Sequence, residues 1–418
     1  MSIIESLFSA ANGITAHGDA LSVVGDNISN VNTVGYKASS ARFADVLGSA
    51  MSGLGASVDG VRQSHRQGGL LGTGIGTDLA IQGDGLFIVS GERETFYTRA
   101  GQFQVAADGR LLSPDGLEVQ GYLAQSRGAM SSSLTSLRFP PQTSLPPSAT
   151  TKIQLSGNFD AASEVPSPFD PADAGGTSNY ASSTTVYDSL GVAHHVDVYY
   201  RAVGGGAYEW HALVDGGEVS GGTEGVPFEA ASGTLTFTTD GKLDSESTVA
   251  SSFDFNGATP AQAIEFDFGD SISTDGGAGT GTTALGGPSE LRSTQDGRTS
   301  GLLEGVEIDE KGRVLGIFSN GERPVLGQVA IARFNSPESL ERAGSGLFRR
   351  TMGSGEPAVG AADTGGRGSL VVGALEGSNV DLAQEFVRMI AYERGFQASS
   401  RVARTADDML SELVNLKR

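Results

Sequence analysis

Hydrophobic and polar residues alternate with a helical spacing at the N-terminal end of the chain. Between residues 4 and 28, apolar or small residues recur at alternating steps of three and four, the spacing of a heptad repeat. The positions are Ile4, Leu7, Ala11, Ile14, Gly18, Leu21, Gly25 and Ile28. The two glycines lower helix stability by about 1 kcal/mol each, but they let a neighbouring backbone approach closely. The pattern predicts an amphipathic helix that either docks on a core or pairs with other helices.

A second helical pattern occupies the C-terminal end. From Ser378 to Leu416 the chain has no proline and a single glycine. One stripe carries Leu382, Phe386, Met389, Phe396, Ala403, Leu410 and Val414. At 1.5 Å per residue, a helix over this stretch would be about 58 Å long. Ser378 or Asn379 can cap it, with Asp381 in its first turn.

Two such helices can pair, but a lone pair leaves much apolar surface in water, so copies from other chains are the natural remaining cover. We therefore predict that residues 1–29 and 377–418 form one helical coiled-coil domain.

The residues between the two helical ends have the two-residue alternation of strands. One hairpin pattern recurs at 101–111, 233–243 and 306–316. It consists of an alternating strand, a tight glycine turn, and a return strand that begins with a basic residue. The spacing between the three copies is irregular, so they indicate a shared hairpin design and not a sequence repeat.

Composition shifts mark domain boundaries. Residues 138–150 are rich in proline and residues 273–290 are rich in glycine, which predicts two crossings into and out of an inserted outer β domain at 146–281. Residues 30–69 lack strong periodicity, and we expect an extended connector there. The predicted fold class is mainly β with long terminal α-helices.

Composition also excludes several classes of function. The net charge of −21 repels nucleic acid and anionic membranes, and no Lys/Arg cluster offsets it. The chain has no cysteine, which excludes zinc–thiolate sites, thiol nucleophiles and disulfides. The chain has no run of 18 apolar residues, so no segment is expected to insert into a membrane. The opening "MSIIESLFSA" lacks a basic n-region and a long apolar h-region, so no cleavable signal peptide is expected.

Candidate chemistry is sparse. The glycine-rich stretch 72–85 does not lead into a helix and carries no P-loop lysine, so turn glycines explain it better than a phosphate cradle. On a strand, His195 and Asp197 would share one face, and His211 could join them as a metal ligand. A solvated strand face explains these residues better, and the sequence has neither G-x-S-x-G nor H-E-x-x-H. We expect no enzyme activity, no cofactor and no metal.

The segment "DNISNVNTVGYK" closely resembles the N-terminal signature of the bacterial flagellar axial family of rod, hook and hook-associated proteins. The resemblance continues through "LAIQGDGLFIVS", "YTRAGQFQVAADGRLLSPDGLEVQGY", "TVYDSLGVAHHVDVYY" and "ALEGSNVDLAQEFVRMIAYERGFQASS". Within that family the chain is similar to hook proteins, because rod proteins lack most of the 146–281 insertion.

The resemblance implies a nested chain: the terminal helices line a tube, a first β domain spans 70–145 and 282–376, and the outer domain is inserted in it. The implied function is mechanical: subunits polymerise into a curved, flexible tube, a universal joint that passes torque from rod to filament. Expected polymerisation residues are Ile4, Leu7, Ala11, Ile14, Leu21, Ile28, Leu382, Phe386, Met389, Phe396, Leu410 and Val414. The signature residues are Asn27, Asn30, Asn32, Thr33, Gly35, Tyr36 and Lys37.

The resemblance also implies partners and a route out of the cell. Expected partners are further copies of the chain, hook cap, distal rod and hook–filament junction proteins, and the flagellar type III export apparatus. Phe43 and Leu47 match a short export-gate motif. Some spirochaetal hook proteins cross-link through a cysteine, which this chain lacks. Two alternatives remain: a distal rod protein of the same family, or a secreted β-rich binding protein.

Overall fold

The structure is a computed structural model that describes residues 3–47, 53–125, 129–288 and 290–416. Two long helices, α1 (Ile3–Ser29) and α2 (Leu382–Leu416), lie at the ends of the chain. All the strands lie between them, with short 3₁₀ turns at Pro171–Asp173, Gly216–Glu218 and Pro337–Ser339. The fold is therefore mainly β with long terminal helices, as the sequence predicts.

Most of the strands are short, as expected for a chain with 61 glycines, although β2, β15 and β17, whose ranges follow, have 11 or 12 residues. The first half holds β1 (Ser39–Leu47), β2 (Gly53–Gln63), β3 (Leu70–Gly72), β4 (Leu79–Gln82), β5 (Leu86–Ser90), β6 (Thr95–Thr98), β7 (Gln104–Val105), β8 (Leu111–Leu112), β9 (Glu118–Leu123), β10 (Thr135–Ser136), β11 (Ser144–Leu145), β12 (Lys152–Ser156), β13 (Asn158–Asp160), β14 (Tyr180–Tyr187), β15 (Ala193–Gly204) and β16 (Ala207–Asp215). The second half holds β17 (Pro227–Phe237), β18 (Leu243–Ser251), β19 (Glu265–Asp267), β20 (Gly269–Asp270), β21 (Thr280–Gly281), β22 (Thr283–Leu285), β23 (Arg292–Gln295), β24 (Gly301–Ile308), β25 (Arg313–Phe318), β26 (Val325–Val329), β27 (Ile331–Arg333), β28 (Glu341–Gly344), β29 (Leu347–Arg349), β30 (Ala358–Gly360), β31 (Ser369–Val372) and β32 (Ala374–Glu376).

The two helices pack against each other and run antiparallel. Gly13 of α1 faces Ser399 of α2, and Gly395 of α2 faces His17 of α1. A Cβ atom at Gly13 would stand 2.6 Å from the Ser399 hydroxyl, so both helices approach closely at a glycine. The close approach that the sequence predicts is present, but at different glycines: Gly18 and Gly25 have no atom within 4 Å of an added Cβ.

The buried face of α1 also differs from the predicted stripe. The buried side chains are those of Ala10, Ala16, Ala20, Val24 and Asn27. These small residues let α2 and the strands that follow α1 come close, whereas the bulkier residues of the heptad stripe point elsewhere. Within its own chain, α1 therefore buries a small-residue face and leaves the heptad stripe half-buried or exposed.

The C-terminal helix begins later than predicted. The Asp381 carboxylate accepts hydrogen bonds from the backbone N–H groups of Ala383 at 2.9 Å and Gln384 at 3.3 Å, so Asp381 is the N-cap. Asn379, which the sequence suggests as a cap, is engaged elsewhere. Its side-chain amide accepts a hydrogen bond from the Ala38 N–H and donates one to the Ser64 carbonyl oxygen. These two bonds hold residues 378–381 outside the helix.

The chain divides into two compact units. Unit 1 comprises Met1–Pro141, Glu304–Ile317 and Arg323–Arg418, and unit 2 comprises Gln142–Leu303 and Phe318–Glu322. In unit 1 the main sheet runs in the order β25-β26-β9-β5-β6-β29-β28. In unit 2 an antiparallel meander runs β14-β15-β16-β17-β18, beside a smaller sheet of order β19-β12-β23. Most of unit 2 therefore lies between two parts of unit 1 in the sequence.

The second boundary of the inserted unit lies further along the chain than 281. Strand β22 pairs in parallel with β13, and β23 pairs antiparallel with β12, so the chain remains in unit 2 through the glycine-rich stretch. The glycine-rich stretch 273–290 therefore forms loops and the short strands β21 and β22 inside unit 2, and Leu303 is the last residue before the chain returns to unit 1.

Residues 30–69 do not form an extended connector. Strands β1 and β2 pair antiparallel from Ser39↔Gln63 to Leu47↔Gly53, with register shifts at two points. This pairing is hard to predict because the burial pattern of β1 is only partly alternating: the hairpin packs on α1 and not on a core of its own.

The three predicted glycine turns are confirmed. Gly109, Gly241 and Gly312 all have positive φ angles, 81°, 75° and 73°. Gly241 separates β17 from β18, and Gly312 separates β24 from β25. The left-handed conformation suits glycine because it has no Cβ.

The core of unit 2 is built around Trp210, the single tryptophan of the chain, which is fully buried. Gly233 lies opposite Trp210 across β16 and β17. A Cβ at Gly233 would stand 2.6 Å from Trp210 Nε1 and would also overlap the Ser247 carbonyl oxygen. Glycine here makes room for the indole ring.

We expect Gly233→Ala to destabilise unit 2 by about 2 kcal/mol or more, because backbone and indole must both move. Urea unfolding followed by Trp210 fluorescence measures the change. Gly286→Ala is the matched control, since an added Cβ there meets nothing within 4 Å. Equal midpoints for both variants would contradict this packing.

Candidate assembly surface and terminal junction

The end of α1 is fixed by one buried asparagine. The Asn27 amide nitrogen donates to the Ser39 carbonyl oxygen at 2.7 Å, and the Asn27 amide oxygen accepts from the Ser39 N–H at 2.8 Å. Asn27 is fully buried, so these backbone groups could not be satisfied by water. A single side chain thus ties the last turn of α1 to the first residue of β1.

The other signature residues surround this contact. The Tyr36 hydroxyl lies 3.1 Å from Asp26 Oδ2 and 3.2 Å from Asn27 Oδ1, and burial raises the pKa of Tyr36 to about 12. The Arg342 guanidinium lies 5.3 Å from the centre of the Tyr36 ring. Asn30 bonds to the Asp26 carbonyl oxygen, and Thr33 donates to the Asn30 amide oxygen at 3.0 Å, while Asn32 is exposed.

Gly35 is required by both conformation and space. Its φ angle is 69°, and a Cβ would lie 2.5 Å from the Ala100 backbone nitrogen. Its N–H donates to the Glu376 carbonyl oxygen at 2.7 Å, which joins the signature segment to β32.

We expect Gly35→Ala to destabilise unit 1 by about 3 kcal/mol or more, because left-handed strain adds to a clash between backbones that cannot relax. Gly116→Ala isolates the strain alone, since φ there is 77° and no atom lies within 4 Å of the added Cβ. That control should cost about 1 kcal/mol. Urea unfolding followed by circular dichroism compares the two, and equal losses would exclude the close approach as the reason for glycine.

A buried ion cluster joins three distant segments. We call Lys37, Arg99 and Glu376 the junction cluster. Lys37 Nζ lies 2.6 Å from Glu376 Oε1, and Arg99 Nη1 lies 3.0 Å from Glu376 Oε2. All three side chains are at least 95% buried. Burial lowers the pKa of Lys37, which the Glu376 carboxylate partly offsets.

Backbone groups complete the junction cluster. Lys37 Nζ donates to the Arg66 carbonyl oxygen at 2.8 Å, and Arg99 donates to the carbonyl oxygens of Ile81 and Gly83. The Gly68 N–H donates to Glu376 Oε1 at 2.9 Å. The cluster therefore fixes three parts of unit 1 to one another: the segment after α1, the residues that follow β6, and the segment before α2.

Asn379 adds a second tie between the two terminal segments. Its amide oxygen accepts from the Ala38 N–H at 2.7 Å, and its amide nitrogen donates to the carbonyl oxygens of Ser64 and Arg66. Sequence reasoning missed Arg99, Glu376 and Asn379 as functional residues. For Glu376 the available signal was a charge inside an apolar and small-residue strand, in "GALEGS", whereas Arg99 follows β6 and Asn379 precedes α2, outside any strand.

His65 packs beside the junction cluster and gives it a pH dependence. Burial, followed by the charges of Lys37 and Arg99, lowers the pKa of His65 to about 4. The folded state thus binds fewer protons than the unfolded state, whose His pKa is about 6.5, so stability falls as the pH drops from about 6.5 towards 4.

We expect His65→Phe to reduce the loss of unit 1 stability across that window, since the ring can still pack on Phe348 but has no proton to bind. Urea midpoints measured at both ends of the window test this. A slope equal to that of the wild type would mean that His65 is not protonated on unfolding.

The terminal helices leave much apolar surface exposed. On α2, Phe386 is 50% exposed and Leu382 is 39% exposed. The large apolar residues exposed on the described parts of both helices are Ile4, Phe8, Leu382, Phe386, Val387, Ile390, Phe396, Val402 and Met409. Among the other predicted polymerisation residues, Leu7, Ile14, Leu21, Ile28, Met389 and Leu410 are half-buried and Ala11 is exposed, whereas the side chain of Val414 lies outside the described residues.

The residues of the predicted export motif lie on β1. Phe43 is 37% exposed, and its ring packs 5.7 Å from both His17 and Tyr392, measured between ring centroids. Leu47 is more exposed. In the folded chain Phe43 thus contacts both terminal helices.

The candidate metal ligands His195, Asp197 and His211 do not converge on one site. His195 and Asp197 share the exposed face of β15, as predicted, with the Ser183 hydroxyl 2.6 Å from each. His211 lies opposite Tyr199, stacks on Phe169 at 3.8 Å and bonds to Glu229. Across the part of the chain that the structure describes, no three His, Asp or Glu side chains are arranged to hold a metal ion.

The length and hydropathy of α1 and α2 bear on whether either could cross a membrane. Within the described ranges, neither is long and apolar enough to do so.

Four family models match consecutive parts of the chain. They are "Flagella basal body rod protein" over 7–37, "Flagellar hook protein FlgE/F/G D1 domain" over 80–159, "Flagellar basal body protein FlaE D2 domain" over 158–298, and "Flagellar basal body rod FlgEFG protein C-terminal" over 371–416. The matches include α1 with the signature segment, and α2.

Full-length relatives decide the assignment. The chain is 34% identical to the flagellar hook protein FlgE of Salmonella typhimurium, over 99% of this chain and 100% of that protein. The chain belongs to the flagellar hook protein FlgE family. It is 32% identical to the hook protein of Treponema pallidum over the full length of both. A solved hook protein, FlgE2 of Helicobacter pylori, covers 73% of the chain at 15% identity with a TM-score of 0.49.

The chain is a structural, self-assembling subunit of the bacterial flagellar hook, and its place in the cell is that hook. The match over the whole length of hook proteins favours this role over the distal rod and over a secreted binding protein.

Proposed function

We propose that copies of this chain assemble through α1 and α2 into a curved, flexible tube that passes torque from rod to filament. The observation that carries the proposal is the exposure of Phe386, Val387 and Ile390 on α2, a helix that packs against α1 of its own chain yet leaves these side chains in water. In a soluble monomer such a surface is costly, and copies of the chain would cover it.

The junction cluster is the mechanical element of this proposal. Torque on the inner helices must reach the β units, and the two terminal segments that lead to them meet at Glu376. Buried charges with fixed hydrogen bonds resist displacement, because separating them leaves a buried charge with neither a partner nor solvent. The junction therefore holds each helix pair rigidly to the strands of its own unit 1, so that bending occurs between subunits.

The proposal includes the partners and the export route. The ends of the tube meet the distal rod and the hook–filament junction proteins, and a hook cap sits on the growing end. The chain leaves the cell unfolded through the flagellar type III apparatus without a cleaved signal peptide, with Phe43 and Leu47 at the export gate. No enzymatic step is needed.

Trypsin digestion tests the proposed assembly surface. Arg394, Arg401 and Arg404 are exposed on α2, so trypsin should cut there in the monomer. In the assembled state these sites should be protected, while Arg292, exposed in unit 2, should remain a site for comparison. If α2 is cut equally fast before and after assembly, the helices are not the assembly surface.

A further inference from the structure

A groove in unit 1 lies between α1, the β1–β2 hairpin and the segment before β28. It has a volume of about 480 Å³. Val23, Val61 and Leu340 supply apolar walls, and the Asp26–Arg342 ion pair, 3.0 Å between Oδ2 and Nη1, stands at its side. Asp26 and Arg342 neutralise each other, so the lining carries no net charge.

Two buried polar side chains on the groove have an atom without a partner. Ser39 and Gln63, which stand opposite each other on β1 and β2, are 3% and 8% exposed. Among the described residues, neither Ser39 Oγ nor Gln63 Oε1 has a hydrogen-bond partner. A buried polar atom left without a partner is costly, and the two here line the same cavity.

The lining defines the chemistry of an occupant. Gln63 Oε1 can only accept a hydrogen bond, and Ser39 Oγ can accept one. The Asp26 carboxylate, which accepts from Tyr36, Asn30 and Arg342, can accept a further one. The occupant must therefore bring several donors on a stem that packs against valine and leucine. An arginine side chain has five N–H donors in a plane and an apolar stem. Helix α1 favours a cation further, because it contains Glu5, Asp19 and Asp26 but no Lys or Arg.

We infer that this groove receives an arginine from helix α2 of a second copy of the chain. Helix α2 offers Arg394, Arg401 and Arg404, all exposed and all on its central part. The inference rests on the proposed assembly through the terminal helices and adds a specific contact to it: the groove beside the acidic helix α1 of one subunit accepts one arginine of helix α2 of the next.

The double variant Ser39→Ala/Gln63→Leu tests the groove by opposite effects on monomer and polymer. Removing two unpartnered polar atoms leaves the urea midpoint of the monomer unchanged or raises it. The same change removes acceptors needed in the polymer, so the critical concentration for assembly, measured by sedimentation, rises about tenfold. Gln63→Met alone provides the same test with a flexible side chain that fills the space if the double variant folds poorly.

Arg394→Gln, Arg401→Gln and Arg404→Gln identify the occupant, since these exposed residues do not affect folding. One of the three should raise the critical concentration alone but add little to the double variant, because both changes remove the same contact. An unchanged critical concentration in the double variant, or additive effects of all three arginine variants, would overturn the inference. Failure of the wild-type chain to assemble would instead count against the proposed function.

Discussion

Glu376→Gln is expected to destabilise unit 1 by about 3–5 kcal/mol. The substitution keeps the size of the side chain but removes the only carboxylate of the junction cluster, so that Lys37 and Arg99 remain as buried cations within reach of each other. The Lys37 side chain is 1% exposed and that of Glu376 is 0% exposed, so water cannot solvate the ammonium group that loses its carboxylate partner.

Two measurements separate this effect from a general loss of stability. Urea unfolding followed by circular dichroism should show the early transition of unit 1, while the Trp210 fluorescence transition of unit 2 stays in place. Glu94→Gln is the matched control: Glu94 and Arg349 form a pair that is 52% and 42% exposed, so its loss should cost less than about 1 kcal/mol. A Glu376→Gln cost as small as that of the control would mean that the cluster does not hold the segments together.

Lys37→Met should cost less than Glu376→Gln, because it leaves Arg99 and Glu376 as a balanced pair. The order of the stability losses of these two variants distinguishes an unpaired buried charge from a simple loss of packing. The reverse order would contradict the electrostatic account of the junction.

Phe386→Asp is expected to abolish assembly while changing monomer stability by about 1 kcal/mol or less. The ring is 50% exposed in the monomer, so little packing is lost there. In the tube the new carboxylate would lie in an interface between helices, at a cost of several kcal/mol if it stays ionised and unpaired. Phe386 is a cleaner probe than Leu410, which is half-buried against its own chain.

Sedimentation of the wild type and the variant at equal concentrations measures the loss. Gln384→Asp adds the same charge two residues away, where a polar, exposed side chain already stands, and should assemble. Normal sedimentation of Phe386→Asp would show that this face of α2 is not an assembly surface.

Periodicity was enough to predict the two terminal helices, and the glycine turns were readable because left-handed backbone favours one residue type. The alternation on β15 was equally clear: His194, Val196, Val198 and Tyr200 are buried, and the residues between them are more exposed. These are local signals, set by the spacing of side chains along one element.

What could not be predicted depends on contacts between distant segments. The β1–β2 hairpin packs on α1, so its strands lack the clean alternation of a sheet with its own core. The end of the inserted unit depends on pairing between β12 and β23, about 140 residues apart. The junction cluster joins Lys37, Arg99 and Glu376, and no local pattern around a single charged residue reveals such partners.

Electron microscopy of the purified full-length chain at assembling concentrations tests the central claim most directly. The account predicts hollow tubes whose inner wall is formed by α1 and α2, and no tubes from a chain that lacks residues 1–29 and 382–418, although unit 2, which contains none of those residues, keeps its Trp210 unfolding transition. Tubes formed equally well by the truncated chain would contradict the claim that the terminal helices build the hook.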